Sequence, residues 1–209
     1  MEWEEIMKIL VACEESQVVC KAFRDKGHEA YSCDTLPCSG GHPEWHIKGD
    51  VLPLLEQNWD MIIAFPPCTY LSNAGACRLY PKKVLNQERY EKGLSAKEFF
   101  MLFLNSNCDK VCVENPVSSK IFNLPPHTQQ IQPYEFGHPY TKKTRLWLKG
   151  LPLLKPTNIV TDNIVSWVNG GSRNSDGTRR HCTGVKHKAI DRSKTFQGIA
   201  DAMAQQWGE

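Results

Sequence analysis

Asp60-Met61-Ile62-Ile63-Ala64-Phe65-Pro66-Pro67-Cys68 is the stretch whose reading decides the fold. Its apolar run is strand-sized and lacks the polar alternation of a sheet with one wet face, so it predicts a strand buried on both sides. Two prolines stop it, because neither can donate to a central ladder. Upstream the pattern recurs. Lys8-Ile9-Leu10-Val11-Ala12 predicts a first buried strand, and residues 17–26, with Val18, Val19, Ala22 and Phe23 at helical spacing, predict the helix after it, capped by Gly27. Residues 30–33 predict a second strand ending at Asp34, and a loop bearing Pro, Gly and His follows over residues 37–48. Downstream, residues 95–105 read as a helix with Phe99, Phe100, Leu102 and Phe103 clustered, and residues 110–114 and 144–149 read as strands. Residues 193–207 form an amphipathic closing helix. Short buried strands alternating with helices predict an α/β fold with a doubly wound, mostly parallel sheet.

The 209 residues suit a single domain that buries a full core without disulfides or metals. Within it, residues 151–192 read as a reduced substrate-facing region, and the Gly-, Ser- and Arg-rich part over 170–188 as a loop that a substrate orders. A net charge of +2 and a pI near 8.0 do not announce a nucleic-acid protein and do not exclude one. Nine cysteines is an odd count, and no charged segment followed by an apolar one opens the chain, so reduced thiols in a cytoplasmic protein are expected. No window reaches the ~18 apolar residues of a membrane span. Cys33, Cys38, His42 and His46 lie close in sequence without a paired Cys-x-x-Cys framework, so no metal is expected.

In a doubly wound sheet, ligands bind outside the carboxyl ends of the strands, so the polar residues ending each strand should converge. Four such ends are Glu14-Glu15-Ser16, Asp34, Phe65-Pro66-Pro67-Cys68 and Glu114-Asn115-Pro116. Asp34 reads equally as an acceptor for ribose hydroxyls and as a turn-capping aspartate. Cys68 follows two prolines that fix its turn, which favours a positioned thiol over a packed one. A thiolate is a soft nucleophile suited to adding across the carbon 5–carbon 6 bond of a pyrimidine. Glu114 then supplies the partner such chemistry needs, holding a proton at the ring nitrogen and exocyclic amine.

Phe65-Pro66-Pro67-Cys68, Glu114-Asn115-Pro116 and Thr141-Lys142-Lys143-Thr144-Arg145 stand in the order and approximate spacing of three motifs of the cytosine-5 DNA methyltransferases, and the chain resembles that family, particularly short phage-type members. The resemblance runs from about residue 8 to residue 145, and Thr195 to Ala200 is similar to the family's closing motif. It implies a Rossmann-like class I methyltransferase fold in a bacterial or phage-infected cytoplasm. It implies that Cys68 attacks carbon 6, Glu114 contacts the nitrogen edge and Arg145 holds the carbonyl oxygen, with Lys143 at the other basic position and Pro67 and Asn115 beside the substrate. It also implies S-adenosylmethionine, or a modified sulfonium analogue, held by Cys13, Glu14, Glu15 and Ser16, by Asp34, by Asp50 with Val51, and by Phe65 and Pro66. DNA, duplex or single-stranded, is the implied partner, its target base flipped out of the helix.

Two features depart from the family pattern. The first loop is Cys13-Glu14-Glu15-Ser16-Gln17, where members carry Phe-x-Gly-x-Gly. Only residues 151–192 stand where members carry a large recognition region, so sequence-specific grip is expected to be weak or borrowed from a partner. Arg173, Arg179 and Arg180, with Lys186 and Lys188, read equally as phosphate contacts and as a solvated basic loop. An amino-methyltransferase would carry Asp, Asn or Ser at position 65 and an aromatic residue at 68, and this chain does not. A free pyrimidine nucleotide or single strand as substrate, and a non-catalytic nucleic-acid-binding protein, are the other readings.

Overall fold

The computed structural model describes residues 5–76, 78–167 and 193–209. Strand β1 (Lys8–Ala12) leads into helix α1 (Val18–Asp25), then β2 (Glu29–Asp34), β3 (His46–Lys48) and β4 (Met61–Ala64). A short helix α2 (Asn73–Ala76) and a long one, α3 (Gln87–Leu104), precede β5 (Lys110–Pro116). Strands β6 (Gln129–Ile131), β7 (Tyr140–Thr141), β8 (Thr144–Lys149) and β9 (Val165–Ser166) and helix α4 (Gln197–Trp207) complete the order.

The main sheet has seven strands in the order β3-β2-β1-β4-β5-β8-β6. The first five strands in that order pair parallel, and β8 runs antiparallel to both β5 and β6. This is the mixed, mostly parallel α/β sheet that the apolar runs predict. Alternation along each strand divides the core in two. Ile9, Val11, Met61, Ile63, Cys112 and Leu146 face α1 and α4. Leu10, Ala12, Ile62, Ala64, Val111, Val113 and Trp147 face α3, whose Phe100 and Phe103 are fully buried and contribute about 1.5–3 kcal/mol each by leaving water. Helices on opposite faces make the sheet doubly wound, and the winding reverses between β1 and β4.

Gly27 follows α1 with φ +91, as the cap reading expects. Helix α3 begins at Gln87 rather than near residue 95, because the Asn86 side chain accepts the Arg89 N–H and starts the helix in a stretch with no apolar face. The closing helix starts at Gln197 rather than 193, since Phe196 is extended at its N-cap. Strands β3 and β6 arise in stretches read as loop or connection; each is three residues long and too polar to show as an apolar run. The expected basic loop over 170–188, with Arg173, Arg179 and Arg180, lies outside the described residues. No helix among the described residues is long and apolar enough to cross a membrane.

Candidate functional site

A cavity of about 500 Å³ opens at the carboxyl ends of β1, β2, β4 and β5, at the reversal of winding where such sheets bind ligands. Its volume suits a small molecule or cofactor.

The β1 end supplies the first wall. Cys13 (φ +59) and Gln17 (φ +58) both take the left-handed conformation that a glycine loop adopts at no steric cost. The strain, of order 1 kcal/mol or more per residue, is held by the neighbouring loop. The fully buried Gln17 amide donates to the His42 carbonyl at 2.7 Å and accepts the His42 N–H at 3.1 Å, and Ser39 N–H donates to the Glu15 carbonyl at 2.8 Å. Gly40 permits this closeness, since a Cβ there would lie 2.5 Å from Gln17 Cβ and 2.6 Å from the Ser16 carbonyl oxygen. The loop lacks glycine, yet its backbone keeps glycine-type turns, and the glycine that admits close approach stands on the opposite loop.

Glu14 is 5% exposed and turns inward. Its Oε1 accepts the Val19 N–H at 2.7 Å and its Oε2 the Cys20 N–H at 3.2 Å, so both oxygens close the N-terminus of α1. Burial pushes the carboxyl up to about 7 against those two N–H groups. Ser16 donates to the same carboxylate at 3.5 Å. Cys13 lines the cavity with its thiol pushed up to about 12, first by burial and then by the charge of Asp34.

Asp34 lines the cavity at the end of β2, and its Oδ1 also accepts the Leu36 N–H at 2.9 Å in a side-chain turn. Asp50 is exposed and caps Leu52 N–H at 3.0 Å, and Val51 packs in the core; neither reaches the cavity wall. Phe65 and Pro66 form part of the wall beside Glu15 and Ser16.

Cys68 is positioned by three elements. Phe65 N–H still pairs with the Ala12 carbonyl at 2.9 Å, so the prolines begin their turn from a fixed point. Asn73 N–H donates to Val117 O at 2.9 Å and Ser119 N–H to Leu71 O at 2.7 Å, tying the segment after Cys68 to the turn after β5. From α3, the Arg89 guanidinium donates to the carbonyls of Thr69 at 3.2 Å and Gly75 at 3.1 Å and lies 4.8 Å from the Tyr70 ring centre. Arg89 carries no motif signal; only its place on α3 reveals this role.

Glu114, at the end of β5, lines the same cavity as Cys68, Pro67 and Pro116. Burial raises both the Cys68 thiol and the Glu114 carboxyl; the Glu114 charge raises Cys68 further, and the Lys142 ammonium lowers both. Lys142 and Thr144 share a smaller pocket with Glu114, Phe65 and Phe196, and Thr195 lines both spaces.

The structure does not bring Arg145 to this cavity. Asn115 and Arg145 are register partners, as are Glu114 and Leu146, and adjacent residues of a strand face opposite ways. Counting by twos from Leu146 puts Thr144 and Lys142 on the Glu114 face and Arg145 on the α3 face, beside Trp147 and His127. Lys143 is exposed outside the cavity. Asn115, fully buried, braces the turn instead, donating to Pro116 O at 2.8 Å and Ser118 Oγ at 3.1 Å. Of the basic motif, the residue that this alternation brings beside Glu114 is Lys142.

No family model matches the sequence, and no curated protein sequence matches it. Among solved structures, the chain is similar to a DNA modification methyltransferase encoded within an E. coli prophage, at 14% identity and a TM-score of 0.44 over 74% of this chain and 52% of that one. It is similar to the Entamoeba histolytica methyltransferase EhMeth at 13% identity and a TM-score of 0.47, over 75% of this chain and 58% of that one. An rRNA methylase from Escherichia coli stands at 16% identity and a TM-score of 0.37, over 69% of this chain and 58% of that one. The chain thus spans between half and three fifths of the length of these proteins.

Proposed function

We propose that this protein transfers a methyl group from S-adenosylmethionine, or a related group from a modified sulfonium analogue, to carbon 5 of a cytosine in DNA. The observation that carries the reading is the meeting of Cys68, Glu114 and Lys142 around one cavity whose other end is built from Cys13, Ser16, Asp34 and Phe65.

The cofactor end fits an adenosyl sulfonium better than a dinucleotide. In nucleotide folds the open N-terminus of the first helix binds phosphate; here the Glu14 carboxylate already takes the N–H groups of Val19 and Cys20. That leaves no phosphate site at the start of α1. Asp34 would hold the ribose hydroxyls and Phe65 with Pro66 would flank the adenine. When bound, the cofactor supplies an electrophilic methyl group.

The protein's own part follows from the coupled pair. Burial and mutual repulsion oppose two negative charges on Cys68 and Glu114. Moving the thiol proton onto Glu114 leaves one charge, on sulfur, and readies both groups. Sulfur then adds to carbon 6 while the Glu114 carboxyl donates its proton to ring nitrogen 3, which leaves carbon 5 electron-rich. Lys142, rather than Arg145, donates to the pyrimidine carbonyl oxygen. After methylation the carbon 5 proton passes to solvent water, its bonding pair forms the carbon 5–carbon 6 double bond as the carbon–sulfur bond breaks and returns Cys68 as thiolate, and nitrogen 3 returns its proton to Glu114. Without a preformed thiolate, the free enzyme is protected from adventitious alkylation.

The test is incubation with isotope-labelled cofactor and, separately, duplex DNA, single-stranded DNA, RNA and dCTP, followed by nucleoside mass spectrometry. Label in 5-methylcytosine from DNA, lost in Cys68→Ala while cofactor binding persists, is the expected result. Undiminished turnover by Cys68→Ala, or label on an exocyclic amine, refutes the mechanism.

A further inference from the structure

A second cavity, of about 280 Å³, lies on the α3 side of β8, at the same end of the sheet as the cavity holding Cys68. Arg145, Lys120 and His127 line it together with Ser119, Asn123 and Trp147, and no acidic side chain is among its lining residues. Arg145 Nε is buried with no hydrogen-bond partner among the described residues, as is Oδ1 of its register partner Asn115. The Arg145 guanidinium is therefore not committed to a protein acceptor at Nε. The fork of Arg145 suits a phosphate, which accepts several N–H bonds at once. The aromatic wall is held in place: Trp147 Nε1 donates to the Pro125 carbonyl at 2.8 Å, and the His127 ring stands edge-on to it at 6.1 Å. Burial and then the Arg145 charge lower the His127 imidazole.

The two cavities flank one turn. After β5, Pro116 lines the Cys68 cavity while Ser118, Ser119 and Lys120 line the second. A strand whose base entered the first would have its backbone beside that turn. We propose that the Arg145–Lys120–His127 cavity binds a backbone phosphate of the nucleic-acid strand, an inference that rests on the function proposed above and assigns the chain a grip outside the basic stretch of residues 170–188.

The first measurement uses the full chain and inorganic phosphate, with no methyl donor. Histidine ring resonances are followed against pH, and His127→Gln identifies the signal. Phosphate should raise the His127 titration by about one pH unit, as an opposite charge at contact does, and Arg145→Gln should abolish the rise. The second measures affinity for a single-stranded oligonucleotide across salt; Arg145→Gln and, separately, the exposed Lys120→Gln should each reduce the slope of log K against log salt by about one. No phosphate response at His127, or a response that survives Arg145→Gln, overturns the site. A response to free phosphate with an unchanged oligonucleotide slope overturns its assignment to nucleic acid. Neither measurement involves methyl transfer, so loss of the transfer reading is recognised separately, by the nucleoside analysis.

Discussion

Glu14→Gln decides between two forces acting on one carboxylate. Two backbone N–H groups of α1 favour its ionised form, and near-complete burial favours the neutral one. Burial wins if the folded carboxyl titrates at about 7 against 4.5 when unfolded. The folded protein then binds the extra proton between those values, so stability is full below pH 4.5 and declines as pH rises towards 7. At about 1.36 kcal/mol per unit, the decline reaches about 3 kcal/mol. Glutamine is the isostere of the neutral form and does not titrate. The variant should therefore match the wild type near pH 5 and exceed it at pH 8 by up to about 3 kcal/mol, a urea midpoint higher by about 1–2 M at typical slopes. Urea unfolding at four pH values from 5 to 8 measures it. A wild type more stable than the variant throughout would refute the reasoning, showing that the N–H groups and helix dipole keep Glu14 ionised in spite of burial.

Three further outcomes are expected. Lys142→Met should lower kcat by about 10²–10³-fold, as loss of one charge-stabilising donor does, whereas Arg145→Gln should act mainly on KM for nucleic acid; steady-state kinetics separate the two. Gly198→Ala sets a Cβ onto the Phe136 carbonyl oxygen and should destabilise by about 1–3 kcal/mol and weaken cofactor binding through Thr195 and Phe196; calorimetry reads both. The Gly198 N–H donates to His138 Nε2 at 3.0 Å, and burial lowers that imidazole. This contribution to stability is present above pH 6.5 and is lost as pH falls below it, so in the Glu14→Gln background, free of the opposing slope, unfolding midpoints should drop from pH 7 to 5.

Strands β1, β4 and β5 were legible because burial on both faces requires a run of apolar side chains, and that requirement shows in a single sequence. Strands β3 and β6 were not, because a three-residue edge strand is specified by its partner's free ladder and not by its own side chains. The first two turns of α3 escaped for a related reason. Gln87, Glu88, Glu91 and Lys92 face solvent, and the turns stand on the Asn86 cap and a Glu88–Lys92 pair four residues apart. At the site, the strand ends converged as the fold requires, and Cys68, Glu114 and Asp34 came to one cavity. Arg89 and Gly40 went unseen because they act across the chain on carbonyl groups and on packing.

The basic motif raises a question of phase. A spacing match on Thr141, Lys143 and Arg145 carries no information about which face a strand shows, because side chains alternate with period two and a one-residue offset reverses every one of them. The structure sets the phase: β8 buries Leu146 against the core shared with α1, and Leu146 pairs with Glu114. Once Leu146 is fixed on that face, Thr144 and Lys142 follow onto it and Arg145 is excluded. The cation beside Glu114 is therefore set by core packing, not by the motif. The consequence is chemical. A lysine is a point charge that lowers both Cys68 and Glu114 without bidentate geometry, whereas the fork of an arginine demands a fixed planar partner.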